Sequence, residues 1–338
     1  MLCHDIVGNA PKVTYRLLNP GIVAVKGSSE PDAMRREAAL PMTRAFNHLI
    51  AGTHFARRFG RWPLPAEAPG ALINDVIFDR MIDTRWSELH RTFIDKETAK
   101  IEAKQRYPEL GVPETLMVIP FETVESVDHL FRLLQPFIGT DAVAKPTHAS
   151  GGVTFLRDLT EPSELRALHD LASRDYATLL REMQYAGLER KIIVEAMIPT
   201  HGSVPDDYKF HCIHGEPLIC QIDHARFGES WSRLFRVPDF TPMDVTDGLR
   251  PPAGFAPAAR DRRDRMVAAA RALSAPFAFV RVDLYDGRDA IYFGELTFTP
   301  AASLGIAPSA AGVHEENPTH RIYSRILMDA LASGGAGT

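Results

Sequence analysis

The chain contains 338 residues, of which 38 are Lys or Arg and 43 are Asp or Glu, so its formal net charge at pH 7 is -5. At roughly 150 residues per domain, this length predicts about two domains. A hydrophobic share of 45% and a charged share of 24% are typical of globular proteins, and they exclude disorder, a collagen-like repeat and a disulfide scaffold. The slightly acidic balance disfavours nucleic acid as a partner, because phosphate backbones attract basic surfaces.

Three cysteines stand far apart, at Cys3, Cys212 and Cys220. Their number is odd and no CxxC pair occurs, so neither a disulfide framework nor a zinc ribbon is indicated. Cys212 and Cys220 fall in predicted strands, where we expect small buried side chains rather than nucleophiles. The sequence starts without a basic region followed by an apolar run and contains no apolar stretch of membrane-spanning length. We therefore expect no signal peptide, no membrane insertion and a cytoplasmic location.

The first part of the chain ends in a proline-rich stretch at residues 62–70. Proline and glycine mark turns and loops, so this stretch predicts a boundary. Residues 1–70 are accordingly interpreted as an N-terminal extension that is mostly helical and of unknown role. Beyond it, apolar residues at helical spacing predict an amphipathic helix over 71–91 and another helix over 94–106.

Strands and helices follow each other along the rest of the chain. The predicted elements are a strand at 116–119, a helix at 125–134, strands at 142–145 and 153–157, a helix at 161–186, strands at 191–197, 208–213, 218–223 and 234–237, a helix at 258–274, strands at 278–285 and 291–297, and a helix at 319–332. Hairpin turns are predicted at His214-Gly215-Glu216-Pro217 and at Asp286-Gly287. This order predicts an α+β protein.

Asp283 and Glu295 lie on the two strands that the Asp286-Gly287 turn joins. Side chains alternate along a strand, so Arg281 shares the face of Asp283 and Thr297 shares that of Glu295. If the hairpin pairs in register, the two carboxylates lie side by side and repel each other unless a cation sits between them. Oxygen ligands of this kind suit Mg²⁺ or Mn²⁺. The pattern alone favours the alternative of a solvated face on which Arg281 pairs with one acid.

Two segments have the composition of a nucleotide-binding surface. Lys145 leaves a predicted strand ahead of His148-Ala149-Ser150-Gly151-Gly152, where an ammonium and glycine N–H groups can meet the same phosphate oxygens. Glu195-Ala196-Met197-Ile198 ends another apolar strand and can offer backbone groups to an adenine edge. Taken alone, each segment is better explained as a tight turn or as a buried strand with an acid at its edge.

Four further polar residues are candidates for contact with a substrate. Lys96 starts a predicted helix, and Lys209 lies on the polar face of a predicted strand. His224 and Arg226 follow the strand at 218–223, and Arg226 could clamp a carboxylate through two hydrogen bonds. His224 is equally well explained as an ordinary loop histidine, and a lysine at a helix start is usually only solvated.

The order of these residues along the chain resembles the ATP-grasp superfamily. The segments Tyr208-Lys209-Phe210, Arg281-Val282-Asp283-Leu284-Tyr285 and Phe293-Gly294-Glu295-Leu296-Thr297-Phe298 resemble, more narrowly, its TupA-like branch. The similarity extends from about residue 72 to residue 305. It implies an ATP-grasp fold, in which two α+β subdomains grip ATP.

This resemblance also implies where the parts of the site lie. It divides the chain into subdomains at 71–195, with a Gly-rich lid at 147–153, and at 196–335, with the metal site. The implied ATP-binding residues are Lys96, Lys145, His148, Ser150, Gly151, Gly152, Glu195, Ala196, Met197, Ile198 and Lys209. The implied ligands of Mg²⁺ or Mn²⁺ are Asp283, Glu295 and Thr297. Many ATP-grasp enzymes have Asn where this chain has Thr297, which makes Thr297 the weaker ligand. The implied catalytic residues are Arg281, Lys209 and Arg226.

The reaction that the resemblance implies is ATP-dependent joining of a carboxylate to an amine through an acyl phosphate. The acid is expected on a small molecule or a glycan, such as a cell-surface polymer precursor or a natural-product intermediate. Two alternatives remain open: a phosphotransferase that acts on a hydroxyl, and a nucleotide-binding protein without turnover. The intact charged residues argue against the second alternative, and a homodimer is left open.

Overall fold

The computed structural model describes residues 40–200, 205–224, 231–243, 255–305 and 318–334. Residues 1–39 of the predicted extension and the candidate Arg226 lie outside them. The helices and strands are α1 Arg44–Phe59, α2 Ile73–Met81, α3 Glu88–Ile94, α4 Lys96–Arg106, β1 Thr115–Pro120, α5 Val127–Leu134, β2 Ala142–Pro146, β3 Thr154–Phe155, α6 Arg166–Ala172, α7 Ala177–Leu180, β4 Lys191–Ala196, β5 Asp207–Ile213, β6 Glu216–His224, β7 Trp231–Arg236, β8 Thr241–Pro242, α8 Arg260–Ser274, β9 Phe279–Asp286, β10 Ile291–Thr297 and α9 Pro318–Gly334.

The strands form two sheets, which confirms the predicted α+β class. One sheet has four strands in the order β1-β4-β2-β3, and the other has six in the order β10-β9-β5-β6-β7-β8. Both predicted hairpins are present. His214 and Gly215, with φ angles of 47° and 80°, connect β5 to β6, as expected of a two-residue turn that needs left-handed backbone. Residues 287–290 connect β9 to β10, a longer loop than the predicted dipeptide.

Side-chain alternation gives the six-stranded sheet one apolar face and one polar region. Tyr208, Phe210 and Val282 point into the main core, where they pack with apolar residues of α8. Their neighbours Lys209 and Asp283 therefore point to the opposite face. Both of these charged residues are nevertheless buried. A buried charge needs partners, and this requirement assembles the site described below.

The four-stranded sheet follows the same rule. Ala144 of β2 and Ile192 and Val194 of β4 pack with Leu130 and Leu134 of α5 in a separate core. Residues at the intervening positions of β2 and β4 consequently face away from α5. Each sheet thus has a helix-covered apolar face and a second face with a region of charged residues. On the six-stranded sheet, another part of this second face is apolar and packs with α2 and α9.

Helix α4 begins at a side-chain cap. Oδ1 of Asp95 accepts hydrogen bonds from the backbone N–H groups of Glu97 and Thr98, at 2.8 and 3.4 Å. This satisfies donors that the first turn of a helix leaves unpaired. On its inner side, Ala99 and Ala103 pack into the core of the six-stranded sheet. The start of α4 is therefore fixed both by the cap and by packing.

The helix predicted over 71–91 is in fact two helices, α2 and α3. The interruption is built around Asp83, whose carboxylate accepts the backbone N–H of Arg85 at 2.9 Å. The ring N–H of Trp86 donates to the carbonyl of Asp83 at 2.8 Å. These local bonds use groups that a continuous helix would pair along its axis, so the helix ends.

The long helix predicted over 161–186 is also divided. It opens as a 3-10 turn, continues as α6 and α7, and stops at Arg181, which has a left-handed φ of 60°. The Arg181 side chain is fully buried and donates to the carbonyl of Leu40 at 3.2 Å. This long-range bond fits the arginine being held in a conformation that a helix interior does not allow.

The two cysteines within the described residues lie on β5 and β6. Both Cys212 and Cys220 are fully buried. Burial raises the pKa of the Cys212 thiol to about 12 and that of Cys220 well above its usual value. The prediction that they are buried small residues rather than nucleophiles is confirmed, because a nucleophilic cysteine needs a thiolate. Among the described residues, every helix is too short or too polar to span a bilayer.

Candidate active site

Glu295 of β10 lies opposite Asp283 of β9, as the sequence predicted. The hairpin reaches this pairing through an irregularity rather than in simple register. Phe293 pairs with Leu284, and a bulge at Gly294 then moves Glu295 into the position opposite Asp283. A Cβ atom on Gly294 would lie 2.8 Å from the carbonyl oxygen of Asp283, so only glycine fits there without a shift. The bulge therefore puts both carboxylates on the same face.

Arg281 occupies the space between the two carboxylates. Its guanidinium donates to both oxygens of Asp283, at 2.7 and 2.6 Å, and lies 3.4 Å from Oε1 of Glu295. It also donates to the hydroxyl of Thr297 at 3.1 Å, and Thr297 donates to Glu295 at 2.9 Å. The ion pair of Arg281 with one acid, which the alternative expected, is present, but Asp283 is 3% exposed rather than solvated.

Burial and charge act in opposite directions on these groups. Burial raises the pKa of Asp283 above the usual range of aspartate, and the positive charges of Arg281 and Lys209 offset part of that rise. Burial lowers the pKa of Arg281, but Asp283 and Glu295 outweigh it and the net shift is upward. The arginine therefore stays cationic, and the carboxylates depend on a cation beside them.

The donor set of this cluster fits Mg²⁺. Asp283, Glu295 and Thr297 offer oxygen atoms only, which are the ligands that a hard divalent cation prefers. Nowhere in the described residues do three or more His, Cys, Asp or Glu side chains gather as a metal site. The protein would thus supply two carboxylates and a hydroxyl, and other oxygens would complete the coordination shell.

A second charged cluster lies on the four-stranded sheet. The carboxylate of Glu195 on β4 lies 2.6 Å from Nζ of Lys145 on β2 and 2.6 Å from Nζ of Lys100 on α4. Burial opposes the charge of Glu195, but the two lysines outweigh it and its pKa is lowered. Burial lowers the pKa of Lys100, and the Glu195 charge offsets part of that shift. Two ammonium groups around one carboxylate leave a net positive charge.

Lys100 was missed by the sequence analysis. The available signal was its spacing, because Lys96 and Lys100 are four residues apart and therefore lie on one face of α4. Nothing in the residue pattern showed that this helix face would meet the end of β4. The Glu195 side chain is bound by two lysines, while the contact with adenine that the resemblance implies for this segment is through the backbone and stays a prediction.

Lys96 begins the helix that connects the two clusters. Its backbone N–H donates to the carbonyl of Thr147 at 3.3 Å, and its ammonium donates to the carbonyl of Ala149 in the Gly-rich loop. Burial lowers the pKa of Lys96, while the charge of Glu295 raises it and that of Lys145 lowers it further. Helix α4, which begins at Lys96, packs in one core with β10 of the six-stranded sheet, and its Lys100 pairs with Glu195 of the four-stranded sheet. The helix therefore connects the two charged clusters.

The Gly-rich loop between β2 and β3 has the conformation that its glycines allow. Gly151 and Gly152 have φ angles of 80° and 70°, and a Cβ atom on Gly152 would lie 2.6 Å from Leu171. Ser150 is hydrogen-bonded to Tyr176. His148 is buried at the root of the loop, and burial together with the Lys96 charge lowers its pKa. A neutral, buried His148 is a poorer partner for phosphate than the sequence suggested.

Two backbone N–H groups of the predicted adenine-binding segment already donate hydrogen bonds to carbonyl groups of the protein. The N–H of Ala196 donates to the carbonyl of Glu114 at 3.0 Å, and the N–H of Met197 donates to that of Asp141 at 2.9 Å. These bonds extend the sheet past the end of β4. An adenine edge at this segment would therefore meet carbonyl groups and Ile198 rather than those two N–H groups.

Lys209 is surrounded by carboxylates. It forms an ion pair with Asp207 on its own strand and lies 3.4 Å from Asp223 and 3.7 Å from Asp283. It is therefore close to the acidic pair of β9 and β10. Nearby, His224 is paired with Asp206. Contact of Lys209 with phosphate stays a prediction.

With two antiparallel sheets, one carrying the acidic pair and the other the cluster around Glu195, the chain has the architecture that the resemblance implied. It belongs to the TupA-like ATPgrasp family, whose model matches residues 119–307, more than half of the sequence. The predicted ATP-grasp fold is confirmed. No curated protein matches the chain.

Solved structures show more distant likeness. The ATP-grasp ligase PsnB, complexed with a phosphomimetic variant of its minimal precursor, Mg and ADP, has 13% identity and a TM-score of 0.36 over 73% of this chain. The D-alanine–D-alanine ligase of Bacillus anthracis complexed with ATP has 16% identity and a TM-score of 0.37 over 72% of this chain. The VanG D-Ala:D-Ser ligase of Enterococcus faecalis has 14% identity and a TM-score of 0.40 over 72% of this chain. The chain spans 60%, 67% and 61% of their respective lengths, and nothing about its activity rests on these low scores.

Proposed function

We propose that the protein is an ATP-dependent ligase that joins a carboxylate to an amine through an acyl phosphate. The observation that carries the proposal is that α4, the helix of Lys96 and Lys100, packs in one core with β10, the strand of Glu295. This packing supports a common site for the lysines and the acidic pair. A polyphosphate needs positive charge along its length together with a cation held by carboxylates, and this site offers both.

The triphosphate would lie between Lys96, Lys145 and the acidic pair. The two ammonium groups would offset phosphate charge, and Lys100 would keep Glu195 from neutralising Lys145 completely. N–H groups of the loop at Gly151 and Gly152 would approach the phosphate oxygens. The adenine would lie against the segment after β4, near Ile198.

Asp283 and Glu295, with Thr297 as the weaker ligand, would hold Mg²⁺. When bound there, Mg²⁺ neutralises charge that develops on the transferring phosphoryl group. Arg281 already lies between the two acids, and its planar guanidinium suits a phosphoryl or carboxylate oxygen. Its role would be to bind that group as charge builds up on it.

The loop at 147–153 would cover the site and exclude water. Exclusion matters in this reaction because hydrolysis of the acyl phosphate competes with attack by the amine. Support for a ligase comes from the family and from the Arg281, Asp283 and Glu295 segments that resemble it. The acid would be a small molecule or a glycan-linked carboxylate, as in the modification of a surface polymer or a natural product. Arg226 is proposed to clamp it.

Trapping with hydroxylamine tests this proposal. The protein is incubated with Mg-ATP and a panel of carboxylic acids, with and without hydroxylamine. We expect acid-dependent release of ADP and phosphate together with a hydroxamate, because hydroxylamine attacks acyl phosphates. Glu295→Gln should abolish the product, and Glu122→Gln, a change on the exposed surface, should not. A stable phosphorylated product with no hydroxamate would identify a phosphotransferase instead.

A further inference from the structure

A buried acid outside the two charged clusters lies next to the candidate active site. Glu182 comes directly before a 3-10 turn at Met183–Tyr185 and is 3% exposed. Its Oε1 accepts a hydrogen bond from the hydroxyl of Thr299 at 2.9 Å. Its Oε2 is buried and has no hydrogen-bond partner within the described part of the chain. A buried carboxylate oxygen left unpaired is costly, so it calls for a ligand.

Two acceptor oxygens of this cluster compete for one hydroxyl proton. The hydroxyl of Thr299 lies within hydrogen-bond distance of Oε1 of Glu182 and, at 2.7 Å, of Oε1 of Gln184. A hydroxyl has one proton and can serve only one of these acceptors at a time. A ligand that brings several N–H donors would satisfy the acceptors that remain.

The residues around Glu182 show where this cluster lies relative to the candidate active site. The charge of Glu295 acts on Glu182. Tyr176 and Tyr185 form an edge-to-face pair with ring centroids 4.8 Å apart, and both sense the charges of these two acids. Tyr176 is also bonded to Ser150 of the Gly-rich loop. Thr299, the partner of Glu182, comes two residues after the end of β10, so Glu182 lies near the end of the strand that carries Glu295.

The chemistry of the cluster favours an ammonium ion over a metal ion. Glu182 is its single carboxyl group besides the more distant Glu295, and no metal-binding cluster occurs among the described residues. Carboxylate, amide and hydroxyl oxygens are suitable acceptors for the three N–H groups of a primary ammonium. A phosphate or a carboxylate would be repelled by Glu182.

We propose that Glu182, Gln184 and Thr299 form the binding site for the ammonium group of the amine substrate. This inference rests on the proposed ligase function and specifies where its second substrate binds. Burial, with a smaller contribution from Glu295, raises the pKa of Glu182 to about 7. That rise is what a buried carboxyl shows before a cation arrives.

Competition in the hydroxamate reaction tests the proposal with simple probes. Methylammonium chloride is added at increasing concentration to wild type and to Glu182→Gln, and hydroxamate formation is compared with each variant's own rate without it. We expect methylammonium to compete in wild type, with a half-inhibitory concentration roughly tenfold or more higher in Glu182→Gln, since a charge-assisted hydrogen bond is lost. Tetramethylammonium has no N–H donor and should compete in neither. Thr299→Val should raise the half-inhibitory concentration of methylammonium by a smaller factor. Glu122→Gln should leave that concentration unchanged.

Two results would contradict the amine site. One is the same half-inhibitory concentration of methylammonium in wild type, Glu182→Gln and Thr299→Val. The other is inhibition by tetramethylammonium as strong as that by methylammonium, which would show a general salt effect. Both are distinct from failure of the proposed function, in which wild type itself forms no hydroxamate.

Discussion

Glu295 is the cross-strand partner of Asp283, and it holds that position because the hairpin contains a bulge at Gly294. Without the bulge, continuing the register of Phe293 and Leu284 would place Glu295 opposite Val282. Its side chain would then lie on the apolar face of the sheet. The acidic pair therefore depends on a backbone irregularity as much as on the two carboxylates.

Substitution of Gly294 should remove the acidic pair without touching either acid. In Gly294→Val, the new Cβ would lie 2.8 Å from the carbonyl oxygen of Asp283, so β10 must shift. We expect a loss of more than tenfold in Mg-ATP-dependent turnover and a destabilisation of about 1–3 kcal/mol. Activity assays and urea unfolding measure the two effects. Wild-type turnover in a folded Gly294→Val protein would show that the pairing is not required.

Lys100 should contribute to ATP binding although it was not predicted from the sequence. Lys100→Met leaves Glu195 with Lys145 alone, and the net positive charge of the cluster disappears. We expect KM for ATP to rise roughly three- to tenfold, because an electrostatic interaction with the phosphates is lost. Lys104→Met is the matched control one turn along α4, where the lysine donates to the carbonyl of Leu110. Equal KM values in the two variants would contradict this role.

Asp95 should position Lys96 and the root of the Gly-rich loop. Its Oδ1 caps α4, and its Oδ2 accepts a hydrogen bond from Thr147 at 3.3 Å. Asp95→Ala should destabilise the protein by about 1–2 kcal/mol and also raise KM for ATP. Ser126→Ala removes the cap of α5 and should lower stability alone. If both variants raise KM equally, the effect is one of general stability.

The buried acid Glu182 should make stability depend on pH. Its pKa is about 7 in the folded protein against an ordinary value of 4.5, so between these values the folded state binds the extra proton. Stability therefore falls as pH rises through this range, by up to about 3 kcal/mol. Urea unfolding at pH 5 and pH 8 should show this fall in wild type and a smaller one in Glu182→Gln. Identical pH dependence in both would contradict the assigned shift.

The sequence predicted the parts of the site that alternation and local signals determine. Strand alternation placed Arg281 and Asp283 on one face, and the spacing of apolar residues predicted the helix over 94–106 that the structure shows as α4. The hairpin at His214-Gly215 followed from turn chemistry. Each of these depends on residues close together in the chain, so a single sequence contains the information.

The remaining features depend on contacts between distant residues. Lys100 meets Glu195 only because α4 packs across the end of β4, and their separation along the chain is 95 residues. Glu182 accepts its hydrogen bond from Thr299, which is 117 residues away along the chain. The interruption of the predicted helix at Arg181 depends on Leu40, at a separation of 141 residues. No local propensity contains such contacts.

The central claim is that ATP phosphorylates a carboxylate before the amine attacks. It is tested most directly with an acid from the hydroxamate screen whose carboxylate oxygens are labelled with ¹⁸O. An acyl phosphate transfers one carboxylate oxygen to the departing phosphate, so we expect inorganic phosphate containing one ¹⁸O atom in wild type. The Glu295→Gln variant should release no ¹⁸O-labelled phosphate. Unlabelled phosphate released during acid-dependent turnover by wild type would contradict the account.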